Sequence, residues 1–371
     1  CSSTTSAADP FTSRKASCDL AMRPGWELIW MKQRWRSGPY DSHREEAPLN
    51  LGLVVHPFTD DNLRLASQIG VSDIIYCEIN DDDQNTERRF PEVDELRSIR
   101  ARVESFGMRL NLQETAFPMD RIIVSKPGRD EQIEQFKRAL GNMGKAGIEI
   151  LCYDWMPTEF GVVRTSFTAT TRGAVTNAFD LAAFEAQSDQ SVVDATTDEQ
   201  MWDDLEYFLK RCLPAAEEAG VKLAMHPDDP PLSPLAGYSR IMRSPEAFDR
   251  LFSISSSECN GMTFCQGCFS EMGVDVPAAI RRFGERILFA HFRDVEFLDD
   301  GVSFYETFQD NGRTDMVDAM RAYGEIGFSG VIRPDHVPQL QTESGVANGY
   351  GMPGRLYAIG YMRGIAESLG L

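Results

Sequence analysis

From Leu51 to the C-terminus, short apolar segments alternate with longer segments whose apolar residues recur at helical spacing. This alternation is typical of repeated βα units, in which parallel strands form one sheet and helices cover it. Eight segments have the composition of buried strands, namely 51–55, 73–79, 109–113, 148–153, 221–226, 261–265, 287–291 and 330–333. Eight such units close into a barrel, and we therefore predict an α/β fold of the (β/α)8 TIM-barrel type.

Two of the intervening segments carry clear signals of helix ends. Residues 130–146 repeat apolar side chains at helical spacing and stop before Gly147, a residue that suits a helix C-terminus. Thr197 begins a pattern that resembles a capping box and predicts a helix ending at Gly220. Pro214 lies inside this second helix, and we expect it to kink the helix or end it early.

Two segments do not follow the alternation. Residues 154–196, after the fourth strand, have no clear period and are far longer than a common βα connection, so we predict a long loop at the top of the barrel. Residues 1–48 begin with a stretch rich in Ser, Thr and Ala. We expect them to be an N-terminal extension, poorly structured or foreign to the native protein, and residues 49–371 to form the catalytic domain.

Composition narrows the class of partner. A formal net charge of −20 argues against nucleic acid and anionic membranes, which bind basic surfaces. No apolar run approaches the ~18 residues of a membrane span, and no signal-peptide pattern opens the chain. The eight cysteines are scattered rather than dense, so we expect reduced thiols and a cytoplasmic protein. An anionic substrate would need local positive charge, such as a divalent metal with nearby arginines.

Histidines cluster at the predicted strand ends, where active sites of this fold lie. The chain has five histidines, and three of them, His226, His291 and His336, follow predicted strands. A single histidine there is more often structural, but three at one rim favour metal binding. Together His226, Cys265, His291 and Asp335 would make a four-ligand site of mixed softness, fit for Zn, Mn(II), Fe(II) or Co(II). Ligands from four separate strands predict a catalytic metal rather than a structural one.

Cys265 and Cys268 have C-x-x-C spacing, which alone would suit redox chemistry or half of a zinc-binding motif. No second pair accompanies them in the sequence. We interpret Cys265, at a strand end, as a metal ligand, and Cys268 as a bystander turned away from the site.

Six stretches resemble the mannonate dehydratase family, and the resemblance runs from about Leu51 to the C-terminus. They are 127–133, 144–148, 152–157, 223–231, 263–267 and the Arg-Pro-Asp-His sequence at 333–336. The resemblance implies a xylose-isomerase-like barrel and a Mn(II)-type ion, with Fe(II) or Co(II) as alternatives, held by the four ligands named above. It implies dehydration of D-mannonate to 2-dehydro-3-deoxy-D-gluconate in hexuronate catabolism. It also implies a homodimer or higher homo-oligomer.

The same resemblance assigns catalytic roles to His336 and Tyr350. Tyr350 lies in Asn-Gly-Tyr-Gly, which resembles a Pro-Gly-Tyr-Gly segment of the family. Removing a proton next to a carboxylate builds enolate charge that a metal stabilises, and an acid and a base must then transfer protons. We expect His336 and Tyr350 to share these two roles, without assigning which does which.

Two arginines are candidate ligands of the sugar acid. Arg293 follows His291 by two residues, so strand geometry would point both toward the same rim, where its planar fork suits a carboxylate. An ion pair of Arg293 with Asp294 or Glu296 is the alternative. Arg164, in the predicted long loop, resembles a family position close to the substrate, although loop arginines are usually solvated.

Three further residues are candidate contacts. Asp228 follows the fifth strand and would orient ligands through hydrogen bonds, with a turn before proline as the alternative. Tyr153 and Trp155, at the end of the fourth strand, are candidate sugar contacts, although packing at the top of the barrel is the simpler interpretation.

Three other functions stay open at this point. Val337 follows His336 where the family commonly has glycine, so a related aldonate is an alternative substrate. A sugar isomerase or epimerase on the same barrel is a second alternative, but such sites commonly use several carboxylate ligands and a catalytic lysine or glutamate pair. A noncatalytic sugar-acid binder is a third, and it would have no evident use for His336 and Tyr350.

Overall fold

The computed structural model describes residues 49–77, 89–114, 117–157, 162–187, 196–341 and 348–371. The expectation of an extension over residues 1–48 lies outside the described residues and stays a prediction. The last two positions of the predicted second strand, Glu78 and Ile79, also lie outside them.

Parallel strands form a closed barrel. They are β1 Asn50–Val54, β2 Asp73–Tyr76, β3 Arg109–Gln113, β4 Ile150–Tyr153, β7 Lys222–Met225, β8 Asn260–Cys265, β9 Ile287–His291 and β12 Val331–Arg333. The numbers follow chain order, and the four that are passed over belong to strands of a second sheet, described below. Each pairs with the next, and β12 closes the barrel by pairing with β1. The predicted TIM barrel is confirmed, and each predicted strand matches an observed one within three residues at either end.

Helices follow the strands and cover the barrel. They are α1 Asp60–Gln68, α2 Val93–Glu104, α3 Arg129–Ala146, α4 Leu181–Gln187, α5 Asp198–Ala219, α6 Pro245–Ile254, α7 Gln266–Glu271, α8 Val276–Phe283, α9 Met316–Glu325 and α10 Met352–Leu369. Gly147 ends α3 in the left-handed conformation, and the Thr197 side chain caps α5, as predicted. The helix α5 continues past Pro214 to Ala219, so an early end at that proline does not occur. None of the described helices is long and apolar enough to cross a membrane.

The long connection predicted over residues 154–196 is present, but its described residues, which exclude 158–161 and 188–195, hold regular structure that we did not predict. It contains α4 and a hairpin of β5 Ser166–Thr171 and β6 Ala174–Phe179, joined through Arg172 and Gly173, both with left-handed φ. β6 pairs with β11 Phe304–Glu306, which pairs with β10 Val295–Phe297, both from the connection after β9. We call this four-stranded antiparallel sheet, in the order β10-β11-β6-β5, the auxiliary sheet. The hairpin was not predicted because β5, Ser-Phe-Thr-Ala-Thr-Thr, has few strongly apolar residues and only one buried position.

The helices α3 and α5 approach each other closely at Gly144. A Cβ at this position would stand 2.2 Å from the carbonyl oxygen of Ala219, in the backbone of the neighbouring helix. Because neither backbone can yield without moving a helix, Gly144→Ala is expected to destabilise the protein by about 1–3 kcal/mol. A lowered thermal unfolding midpoint would register this loss.

Gly141, on the same helix, provides a matched control for that substitution. A Cβ at Gly141 would meet nothing within 4 Å. Gly141→Ala is therefore expected to leave the unfolding midpoint unchanged or to raise it. Within a helix, alanine is more stable than glycine by about 1 kcal/mol. Equal midpoints for the two variants would contradict the packing argument.

Candidate metal centre and active site

Adjacent barrel strands bring the predicted metal ligands to one point. The register pairs Cys265 with His291, and His226 follows β7, which neighbours β8. The ligand atoms of His226, Cys265 and His291 all lie within 4.8 Å of one another. Asp335 Oδ2 lies 3.8 Å from Cys265 Sγ and 3.6 Å from His291 Nδ1. The structure therefore gathers all four predicted ligands at the C-terminal ends of the strands.

Asp335 reaches this cluster through an uncommon backbone conformation. Its φ is 59°, in the left-handed region that residues other than glycine seldom adopt. Aspartate is among the residues that tolerate this region best. Such conformations persist where the surrounding structure enforces them, which is frequent at functional sites.

A fifth potential ligand, Glu114, directly follows β3 and was not predicted. Its Oε1 lies 3.2 Å from His291 Nε2, and it forms a second cluster with His291 and Asp335. Glu114 Oε2 and both ring nitrogens of His291 are buried, and none of the three makes a well-aligned hydrogen bond with the described residues. Buried polar atoms are normally bonded, so these atoms are suited to a metal or to its water ligands. The strand-end rule that selected the other ligands also applies to Glu114.

The electrostatics favour a thiolate at Cys265. Burial alone would raise the pKa of Cys265, but a hydrogen bond from Cys268 and the positive charge of Arg293 lower it well below its ordinary value. Burial raises the pKa of Cys268, which stays a neutral donor. Our expectation that Cys268 turns away from the site is therefore wrong. A thiolate with two imidazoles and a carboxylate fits a divalent metal of intermediate softness.

Arg293 points into the protein rather than toward a bound sugar. Its buried guanidinium donates from Nη1 to Glu306 (2.7 Å) and from Nη2 to Asp229 (3.0 Å) and Glu271 (3.1 Å). Arg293 Nε lies 3.1 Å from Asp335 Oδ2. All three side-chain nitrogens of Arg293 therefore face carboxylates of the protein. Arg293 is not free to bind a substrate carboxylate, and it does not form the alternative ion pair with Asp294 or Glu296.

Arg164 is equally occupied by the protein. It forms a two-pronged pair with Asp229, at 2.6 and 2.9 Å, and donates to Glu306 from Nε and Nη2 at 3.0 and 2.7 Å. It is therefore not a solvated loop arginine. Arg164 and His336 both contact Glu306 Oε1, so Arg164 is linked to His336 through this carboxylate.

His336 and Tyr350 lie together beside the metal ligands. His336 Nδ1 is 2.9 Å from Glu306 Oε1, and its Nε2 is 3.9 Å from Asp335 Oδ1. The Tyr350 ring meets the His336 ring edge-on, with centroids 5.3 Å apart. Burial alone would lower the pKa of His336, but the carboxylates of Glu306 and Asp335 raise it above its ordinary value. Burial raises the pKa of Tyr350.

Asp228 does not face the metal cluster. Its Oδ2 accepts the backbone N–H of Met242 at 2.7 Å, and its Oδ1 lies 4.0 Å from Arg240 Nη1. Burial raises the pKa of Asp228 to about 6. The neighbouring Asp229 is the residue that contacts the site arginines.

Tyr153 and Trp155 point away from the rim. Both rings are buried against Phe208 of α5, with centroids 5.9 and 5.4 Å from it. Trp155 Nε1 donates to the Met201 carbonyl at 3.2 Å. They pack between barrel and helix, and the structure does not bring them to the candidate site.

Two further charged residues complete the site and were not predicted. Arg333, in the Arg-Pro-Asp-His sequence, pairs with Glu114 and lies 2.9 Å from Asp335 Oδ1. Its position within a recognised motif was a usable signal. Glu306 comes from β11 of the auxiliary sheet, and no local pattern in the sequence marked it.

Comparison with known proteins gives a consistent result. The chain matches the family described as D-mannonate dehydratase (UxuA) over residues 59–198 and 190–370. It is 32% identical over 310 residues to mannonate dehydratase 1 of Bacillus licheniformis, covering 75% of this chain and 84% of that protein. It is 31% identical over 312 residues to the mannonate dehydratase of Thermotoga maritima, covering 74% of this chain and 86% of that protein.

Solved structures agree. A mannonate dehydratase from Streptococcus suis serotype 2 superposes with a TM-score of 0.78 at 28% identity, covering 87% of this chain and 95% of that one. An L-ribulose 3-epimerase superposes with a TM-score of 0.54 at 13% identity, covering 87% and 96%, and shares the barrel fold alone. From the sequence match, which spans most of the barrel, we conclude that this chain belongs to the D-mannonate dehydratase family.

Proposed function

We propose that this protein is a hydro-lyase that dehydrates D-mannonate to 2-dehydro-3-deoxy-D-gluconate and depends on a divalent metal. The observation that carries the proposal is the meeting of a His-Cys-His-Asp cluster with His336 and Tyr350 at one barrel rim. Membership of the D-mannonate dehydratase family supports the reaction and the substrate.

The four predicted ligands, His226, Cys265, His291 and Asp335, would hold the metal, which we propose to be Mn(II). Fe(II) or Co(II) suits the same donors. When bound, the ion supplies Lewis acidity that stabilises the enolate formed when the C2 proton of the sugar acid leaves. Glu114 lies close enough to His291 to orient it or to hold a water beside it.

His336 and Tyr350 would carry the protons. Dehydration removes a proton from C2 and a hydroxyl from C3, so one group takes a proton and another gives one. The edge-on arrangement of the two rings, with centroids 5.3 Å apart, supports a shared role at one substrate bond. Because Arg164 and Arg293 are committed to protein carboxylates, we assign them to the support of His336 rather than to substrate binding.

The identity of the aldonate is the finer part of the proposal. Val337 is buried and lies against Gly354 of α10. Because its side chain packs between the strand end and the helix, we do not expect Val337 to reshape the substrate pocket. This supports D-mannonate, rather than a related aldonate, as the substrate.

An assay of metal-stripped protein reconstituted with Mn(II) tests the reaction. We expect 2-dehydro-3-deoxy product from D-mannonate, dependent on added metal, and little from epimeric aldonates. Product from another aldonate would keep the chemistry and change the substrate. Isomerised or epimerised sugar without loss of water would favour the epimerase alternative. No keto acid from any aldonate, at one bound metal per chain, would contradict the dehydratase proposal.

We propose further that the protein works in the cytoplasm as a homodimer or higher homo-oligomer. The described cysteines, six in number, are all free thiols, as expected in a reducing compartment. Light scattering coupled to size-exclusion chromatography tests the oligomer, and a mass of one chain would contradict it.

A further inference from the structure

We propose that Glu306 is a positioning residue that acts through His336, so that the auxiliary sheet is part of the active site. The proposal rests on the function proposed above, because His336 is a proton-transfer group only within that function. It adds a residue that lies outside the barrel, on β11.

The contact between Glu306 and His336 is direct and buried. Glu306 Oε1 lies 2.9 Å from His336 Nδ1, and the glutamate side chain has no exposed surface. When a neutral imidazole donates its Nδ1–H, the acceptor nitrogen is Nε2. Nε2 is the nitrogen on the side of the metal ligands, 3.9 Å from Asp335 Oδ1. Glu306 therefore selects both the ring orientation and the nitrogen that faces the reacting atoms.

The glutamate is itself held in place from several directions. Its Oε2 accepts the side-chain amide of Asn177, on the neighbouring strand β6, at 2.9 Å. Its Oε1 accepts Arg164 and Arg293, each at 2.7 Å. A carboxylate with this many fixed donors has little freedom to turn, and it transmits that rigidity to the imidazole.

The two arginines also allow Glu306 to stay charged without solvent. Burial alone would raise the pKa of Glu306, but His336 and the guanidiniums of Arg164 and Arg293 lower it well below its ordinary value. A charged acceptor makes a stronger hydrogen bond than a neutral one. This explains why Arg164 and Arg293 are buried beside the site although their guanidiniums contact protein carboxylates rather than a substrate.

Glu271 distinguishes the positioning of His336 from simple support of Arg293. It is a buried carboxylate that contacts the same guanidinium, 3.1 Å from Arg293 Nη2, and no contact between it and His336 is present among the described residues. Burial raises the pKa of Glu271 well above its ordinary value, so glutamine is a close substitute for its neutral form. If Glu306 served only to hold the Arg293 guanidinium in place, weakening either carboxyl contact to Arg293 would have similar effects.

The kinetic test compares Glu306→Gln and Glu306→Ala with Glu271→Gln in the Mn(II)-loaded protein. Glu306→Gln is expected to lower kcat by about 10- to 100-fold, the loss typical of a residue that orients a functional side chain. Glu306→Ala should lose more, and KM for D-mannonate should change by less than about threefold in both. Glu271→Gln should keep most of the activity. Equal losses for Glu271→Gln and Glu306→Gln, or a kcat within about threefold of wild type in Glu306→Gln, would overturn the proposal.

A spectroscopic test does not depend on turnover. In zinc-loaded protein labelled with ¹⁵N-histidine, the His336 signals can be assigned by their absence in His336→Asn. We expect the Nδ1 resonance of His336 to shift in Glu306→Gln and Glu306→Ala, and to stay unchanged in Glu271→Gln. An unchanged Nδ1 resonance in folded Glu306→Gln would overturn the positioning role. Because this readout needs no substrate, it answers the question even if the wild type fails to dehydrate D-mannonate.

Discussion

Replacing Cys265 with alanine is expected to remove the bound metal and nearly all dehydratase activity. Cys265 Sγ and the ligand atoms of His226 and His291 all lie within 4.8 Å of one another, and the lowered pKa of Cys265 favours its charged form. Loss of a charged ligand weakens the site, and loss of the ion withdraws several kcal/mol of transition-state stabilisation. We therefore expect kcat/KM for D-mannonate to fall by at least about 10³-fold, which corresponds to about 4 kcal/mol.

Cys212→Ala is the matched control. Cys212 is also fully buried, but it lies on α5 in the core between barrel and helices. This variant should keep one metal per chain and near wild-type activity while losing some thermal stability. Metal content measured by mass spectrometry, together with the dehydration rate, gives the comparison. A Cys265→Ala protein with full metal and more than about a tenth of wild-type activity would show that the thiolate is not a required ligand.

The second large effect is expected from His336→Asn, with the metal retained. His336 is not in the ligand cluster, so its removal should leave metal content near one per chain. Loss of a proton-transfer group typically lowers the rate by about 10²- to 10⁴-fold, and we expect kcat to fall within this range. The pattern of lost turnover with bound metal distinguishes this variant from Cys265→Ala.

Tyr350→Phe tests the partner group in the same way. We expect a loss of kcat in the same range, because only the hydroxyl is removed. Tyr153→Phe is its control, since the buried Tyr153 hydroxyl has no hydrogen-bond partner among the described residues and the ring packs against Phe208. If both tyrosine variants kept full activity, Tyr350 would have no catalytic role.

Much of the barrel could be predicted because its signals are local. A buried strand and an amphipathic helix each carry a period that is visible within a few residues. Given the fold, the rule that strand ends converge then selected His226, Cys265, His291 and Asp335, which the structure brings together. Glu114 also directly follows a barrel strand, β3, but a single glutamate at a strand end does not stand out in composition as the few histidines do.

The side-chain directions at the end of β4 could not be predicted. Cys152 faces the interior of the barrel, whereas Tyr153 packs outward against α5. Both faces of a barrel strand are buried, so hydrophobicity does not distinguish inside from outside. The pairing register decides it, and register depends on neighbours far away in sequence.

The ion pairs of Arg293 show most clearly what only the tertiary structure determines. Arg293 follows His291 by two residues, and strand geometry alone pointed it at the substrate. Its partners Asp229, Glu271 and Glu306 come from separate connections of the chain, the last through the auxiliary sheet. No local sequence pattern predicts which carboxylate a guanidinium will pair with.

The sequence by itself determined the barrel, its strands and the residues of the His-Cys-His-Asp cluster, because periodicity and strand-end convergence are properties of short segments. Only the tertiary structure decided how the charged residues are shared. It assembled the auxiliary sheet from two distant connections, turned Arg164 and Arg293 toward carboxylates, and set Glu306 against His336. The physical reason is that ion pairs between distant segments depend on where the closed barrel brings those segments together, which no segment encodes alone.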